Sequence, residues 1–157
     1  MWQSGRTAMA RLLLIDDDEL VRTALAVLLA AEGHQVEAAP DGRSGVATLA
    51  AGRFDLVLCD IFMPEMDGFE TLRAVRRLCP GLPVVMMSGH TRFQRNRKGP
   101  DFLRMAVDLG AAASLSKPLD PAEVLAVVWR CLPPCPELLE QPPAHPPPGS
   151  GPDSPAA

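Results

Sequence analysis

The chain has 157 residues, 47% of them hydrophobic and only 4% aromatic, with a formal net charge of −4. That length and apolar content suit one ordinary domain whose core is filled by Leu, Val, Ala and Met, and the acidic balance gives nucleic-acid binding no support from bulk charge. No charge-free apolar run approaches the ~18 residues of a spanning helix, so no membrane segment is predicted.

In chain order, residues 1–10 have too weak an apolar core for a signal peptide and read as a flexible leader. Residues 11–15 form a short apolar run ending in acids, the pattern of a buried strand. Over residues 20–32, Val21, Leu25, Leu28 and Leu29 share one helical face, Asp18 reads as the cap and Gly33 as the stop. Residues 35–39 read as an edge strand and 44–51 as a short helix. FDLVLC at residues 54–59 is continuously apolar, as a central parallel strand should be. Residues 69–78 are helical, closed off by Pro80, Gly81 and Pro83, and residues 84–87 are again a fully apolar strand.

After Ser88 comes a long segment carrying Arg92, Arg95, Arg97 and Lys98 around Phe93, which reads as a solvated insertion. Residues 101–109 look helical up to Gly110, and residues 112–116 form a weaker strand. Asp120, Pro121 and Glu123 mark the start of a last helix, which Pro133 and Pro134 end after Leu132. Ten of the 17 prolines lie between Pro133 and Pro155, so residues 133–157 read as a Pro-rich disordered tail. Cys59, Cys79, Cys131 and Cys135 fit no zinc spacing, and a reducing, cytoplasmic setting is the simplest match.

Five strands alternating with five helices over residues 11–132 predict an α/β domain: a five-stranded parallel sheet, doubly wound, with helices on both faces. In such a sheet the site lies beyond the carboxyl ends of the strands. Strand one ends in Asp16, Asp17 and Asp18, strand three in Asp60, strand four in Ser88, and strand five in Ser116, Lys117 and Pro118. Carboxylates gathered this closely call for a cation, and oxygen donors beside a phosphate-bearing substrate favour Mg2+. A central carboxylate can then act as nucleophile toward phosphorus, with Lys117 and Ser88 stabilising the transferring oxygens.

LLLIDDDELVR at residues 12–22, DLVLCDIFMPEMDG at 55–68, VVMMSGH at 84–90 and LSKP at 115–118 stand in the order found in one family. The chain resembles the CheY-like receiver domain of two-component response regulators, whose fold is flavodoxin-like. The resemblance implies Asp60 as the phosphoacceptor. It puts Asp16, Asp17, Asp60 and the backbone carbonyl of Phe62 around the metal, with Asp17 the closer ligand of the acidic pair. Ser88 becomes the switching hydroxyl, Lys117 the invariant lysine, and Lys117–Pro118 a cis peptide. Phe62 and His90 fall where the family tunes water access to the phosphoaspartate.

The implied donor is a sensor histidine kinase or phosphotransfer protein, and the implied output is a phosphorylation-dependent contact with a downstream protein. A homodimer through the face from Asp101 to Leu132 is a further form that output can take. Turnover catalysis is not implied, only acceptance of a phosphoryl group from a protein or small phosphodonor and its slow loss. Ser114 replaces the aromatic residue that receivers often carry there. That departure leaves an alternative, a receiver-like module binding its partner constitutively without phosphorylation. An aspartyl phosphatase is disfavoured because Phe62 stands where a second acid would be needed, and no DNA-binding module is read after Leu132.

Overall fold

The computed structural model describes residues 9–89 and 101–132. The readings of the leader, of the basic segment with His90, and of the Pro-rich tail fall on residues 1–8, 90–100 and 133–157, outside the described residues. Ala10 is buried, and its carbonyl accepts a 2.9 Å hydrogen bond from the Gln35 N–H.

Five β–α repeats follow one another: β1 (Arg11–Ile15), α1 (Glu19–Ala31), β2 (Gln35–Ala39), α2 (Gly42–Ala51), β3 (Leu56–Asp60), α3 (Gly68–Leu78), β4 (Val84–Ser88), α4 (Phe102–Asp108), β5 (Ala113–Ser116) and α5 (Pro121–Cys131). The strands form one sheet in the order β2-β1-β3-β4-β5, every neighbouring pair parallel. This is the doubly wound, CheY-like arrangement predicted. Boundaries differ from the sequence reading by up to two residues. Two starts shift by two residues, α2 to Gly42 and β3 to Leu56: ahead of β3, Asp55 accepts a 2.7 Å hydrogen bond from the Arg11 N–H, and Phe54 lies under the Arg11 guanidinium. Asp60 and Ser88 are therefore the last residues of their strands, inside the hydrogen-bonded register.

Alternation along the buried strands sorts side chains onto two faces. Leu13, Ile15, Val57, Cys59, Val84 and Met86 face α2, α3 and α4, meeting Leu49, Leu72, Val75 and Ala106. Leu12, Leu14, Leu56, Leu58, Val85, Met87 and Leu115 face α1 and α5, meeting Leu25, Leu29, Val124, Val127 and Val128. All five residues of β3 and of β4 are buried, which accounts for the unbroken apolar runs that mark them as central strands.

Each helix starts at an aspartate whose carboxylate accepts a backbone N–H: Asp18, Asp41, Asp67, Asp101 and Asp120. The caps fix where each chain turns after leaving the sheet, and so hold the loops at its carboxyl edge. Gly33, at φ 91°, reverses the chain after α1 as the sequence suggested.

Candidate functional site

The register of the sheet assembles the site. Ile15 of β1 lies opposite Cys59 of β3, so the next residues, Asp16 and Asp60, emerge side by side. Strand order also reverses here, because β1 is flanked by β2 on one side and β3 on the other. A crevice opens at such a switch point, between loops that leave toward opposite faces. One carboxylate oxygen each from Asp16, Asp17 and Asp60 falls within 4.8 Å of the others. Asp16 and Asp60 are buried at 0% and 4% exposure, whereas Asp17 is exposed.

Lys117, just past β5, reaches this cluster from the far side of β4. Its ammonium donates to Asp16 Oδ2 at 2.8 Å and lies 3.4 Å from Asp60 Oδ1. The Lys117 N–H also donates to the Ser88 carbonyl at 2.8 Å, which ties the start of the loop to β4. Lys117–Pro118 is cis, as the resemblance implied. Ser88 is buried at the end of β4, opposite Ser116. Phe62 lies two residues beyond Asp60 and is half-buried.

Asp16 is engaged at both carboxylate oxygens, because Oδ1 accepts the Asp18 N–H at 2.9 Å while Oδ2 accepts Lys117. Arg22, from the second turn of α1, donates to the Asp16 carbonyl at 2.8 Å and so fixes the acidic turn from behind. Sequence reading did not single out Arg22. Its spacing from Asp16 is one helical turn past the loop, a signal that becomes visible only once the start of α1 is known. Asp18 is the α1 cap, as predicted.

Among the described residues only Gly33 and Gly110 are glycines at positive φ, so no turn conformation demands glycine at Gly68. A side chain there would instead strike the Asp60 carbonyl and the Ile61 Cα, and its N–H donates to the Ile61 carbonyl at 2.7 Å. Glycine is required because α3 begins hard against the end of β3.

Burial raises the Asp60 carboxyl to about 7, and the Asp16 charge pushes the same way, against the lowering effect of Lys117. Burial also opposes the Lys117 ammonium, but its hydrogen bond to Asp16 and the charges of Asp60 and Asp16 prevail and hold its pKa above the ordinary value. Three carboxylates facing one ammonium leave an excess of negative charge in a largely buried place. The donors are all hard oxygens, which fit a magnesium ion and neutralise with one. When bound, the ion supplies charge neutralisation for an incoming phosphoryl group.

Residues 12–129 match the family described as the response regulator receiver domain. The chain belongs to that family. The receiver is 34% identical to the response regulator MprA of Mycolicibacterium vanbaalenii over 116 residues, covering 74% of this chain and 47% of MprA. It is 35% identical to the transcriptional regulatory protein ZraR of Escherichia coli over 121 residues, covering 77% of this chain and 26% of ZraR. It thus spans half or less of these curated relatives. Among solved structures, the Vibrio cholerae chemotaxis protein CheY4 is 32% identical with a TM-score of 0.69, covering 80% of this chain and 100% of that one. NtrX from Brucella abortus is 30% identical with a TM-score of 0.71, covering 79% of this chain and 27% of NtrX. The acidic cluster is thus the phosphoacceptor site of a receiver, of the kind that binds Mg2+. Such a domain accepts a phosphoryl group and loses it slowly rather than turning over a substrate.

Proposed function

We propose that Asp60 is the residue phosphorylated, that Asp16, Asp17, Asp60 and the Phe62 carbonyl surround the magnesium with Asp17 the closer ligand of the acidic pair, and that Asp16 also holds Lys117 in place. The observation that carries this reading is the position of Asp60: buried, beside Asp16 in the register, and within 3.4 Å of the Lys117 ammonium. An Asp60 carboxylate oxygen attacks the donor phosphorus, and a new O–P bond forms as the donor's own bond to phosphorus breaks. The electron pair of that bond leaves with the donor, an imidazole in the case of a phosphohistidine. Lys117 and the Ser88 hydroxyl then hydrogen-bond the oxygens of the acyl phosphate.

The donor is a histidine kinase or phosphotransfer protein in the same compartment, the cytoplasm. Output runs through a downstream protein that docks on the face from Asp101 to Leu132, where Met105, Val107, Leu109 and Trp129 are exposed apolar side chains; a second copy of the chain is one such partner. Among the described residues no element stands outside the five β–α repeats, and no helix is long and apolar enough to cross a membrane. The domain boundaries that fit this reading are a leader at 1–10, the receiver at 11–132 and a tail at 133–157. The retained Asp17, Asp60, Ser88 and Lys117 favour this function over constitutive binding without phosphorylation.

The test is intact-protein mass after incubation with magnesium and acetyl phosphate. A single phosphoryl adduct that requires magnesium and is missing from Asp60→Asn is the expected result. An adduct that persists in Asp60→Asn, or none at all in the wild type, overturns the assignment.

A further inference from the structure

Phe62 places two different groups on one residue: a carbonyl read above as a metal ligand, and a large apolar ring at the rim of a charged site. The ring is not left in water. It meets the ring of Phe102 edge-on, with centroids 4.9 Å apart and planes at 88°. Phe102 is the first residue of α4, and the ring of Phe69 of α3 also lies near it, with centroids 6.4 Å apart. Three rings, one each from the β3–α3 loop, α3 and α4, thus close over the end of the sheet on one face. The strand β5 (ASLS) contributes no ring on this side.

The geometry points to Phe102 as a positioning residue for the metal-binding edge of the site, acting through Phe62. This rests on the assignment of the Phe62 carbonyl made above. Because side-chain rotamers are coupled to the backbone, holding the Phe62 ring narrows the backbone conformations open to that residue, and with them the placement of its carbonyl. Helix α4 is itself held at both ends. Asp101 caps its start, and Arg76 of α3 donates to the Leu109 carbonyl at 2.7 Å at its finish. The Phe102 ring that meets Phe62 is therefore carried by a tethered element. Coupling of this kind is reciprocal, so an ion on the Phe62 carbonyl also steadies α4.

An edge-to-face aromatic pair contributes enough to alter a binding constant by about two- to tenfold. In the full chain, Phe102→Ala raises the magnesium concentration for half-maximal labelling by acetyl phosphate by about that factor, while saturating magnesium restores wild-type labelling. Val27→Ala, an exposed position on α1, leaves the magnesium dependence unchanged. Magnesium slows amide exchange over residues 102–108 in the wild type, and Phe62→Leu, which keeps the carbonyl, abolishes that protection. An unchanged magnesium dependence in a folded Phe102→Ala overturns the inference. If Phe102→Ala does not fold, Phe62→Leu is measured in its place, with the same shift required. Direct binding of Mn2+, read from its paramagnetic resonance signal, separates the two readings. A wild type that binds Mn2+ but is never labelled defeats the phosphoacceptor assignment alone; equal Mn2+ affinity in wild type and Phe102→Ala defeats this one.

Discussion

Replacing Asp60 by asparagine in the metal-free protein tests the electrostatics of the site without any phosphodonor. The carboxyl is nearly isosteric with the amide, so the change removes a charge while leaving the packing at the end of β3 in place. Burial and the Asp16 charge raise the Asp60 carboxyl from 3.8 to about 7 in the folded protein. Below pH ~4 the group is protonated whether the chain is folded or unfolded, and it costs nothing. Between there and about pH 7 the unfolded chain releases its proton while the folded one keeps it, so stability falls as pH rises. A rise of about 3 pH units at ~1.36 kcal/mol each makes the ionised group cost about 4 kcal/mol at pH 8, an upper figure because relaxation and water entry reduce it. Urea unfolding in chelator, measured from pH 4 to pH 8, should show Asp60→Asn gaining on the wild type by ~1 kcal/mol per pH unit before levelling off. Comparing the two proteins at each pH cancels the titrating groups that lie away from Asp60. Magnesium at pH 8 should stabilise the wild type more than the variant. A difference that stays flat across this range, or a variant less stable than wild type at pH 8, would refute the reasoning.

Two further outcomes follow from individual contacts. Gly68→Ala forces a methyl group into the Asp60 carbonyl and Ile61 backbone, neither of which can rotate away. It should destabilise the fold by about 1–3 kcal/mol in urea unfolding, and it should weaken labelling at Asp60 beyond that loss because the strand end itself must shift. His34 is buried, and its Nδ1 accepts the Ala10 N–H at 3.4 Å. Burial lowers its pKa, against the opposing charges of Glu32 and Asp55. The unfolded chain thus binds the proton more readily, and the neutral form contributes stability above pH ~6.5 that is lost as pH falls through the folded pKa. His34→Gln should flatten the acid limb of the stability profile; an unchanged limb would place the titrating group elsewhere.

Much of the candidate site could be read from residue types at strand ends. Asp16, Asp60 and Ser88 each follow or end an apolar run, and runs of that kind become buried parallel strands because both faces of the sheet are covered, whereas Lys117 follows the weaker β5, in which only Leu115 is buried. The caps were legible only in part. Asp18 and Asp120 stand in recognisable surroundings, whereas Asp41, Asp67 and Asp101 look like ordinary loop acids until the helices they start are in place.

By itself, the sequence determined the alternation of strands and helices and the family, and it put an acid, a hydroxyl and a lysine at the strand ends, since hydrophobic periodicity and short motifs are properties of neighbouring residues. Only the tertiary structure decided what those groups meet. Lys117 sits closer to Asp16 than to Asp60, Arg22 grips the acidic turn from behind, Gly68 leaves room for the end of β3, and the Phe62 ring rests on Phe102. Each of these depends on strand register or on helices packed over the sheet. Such contacts join residues as much as 101 positions apart, a distance over which local pattern carries no information.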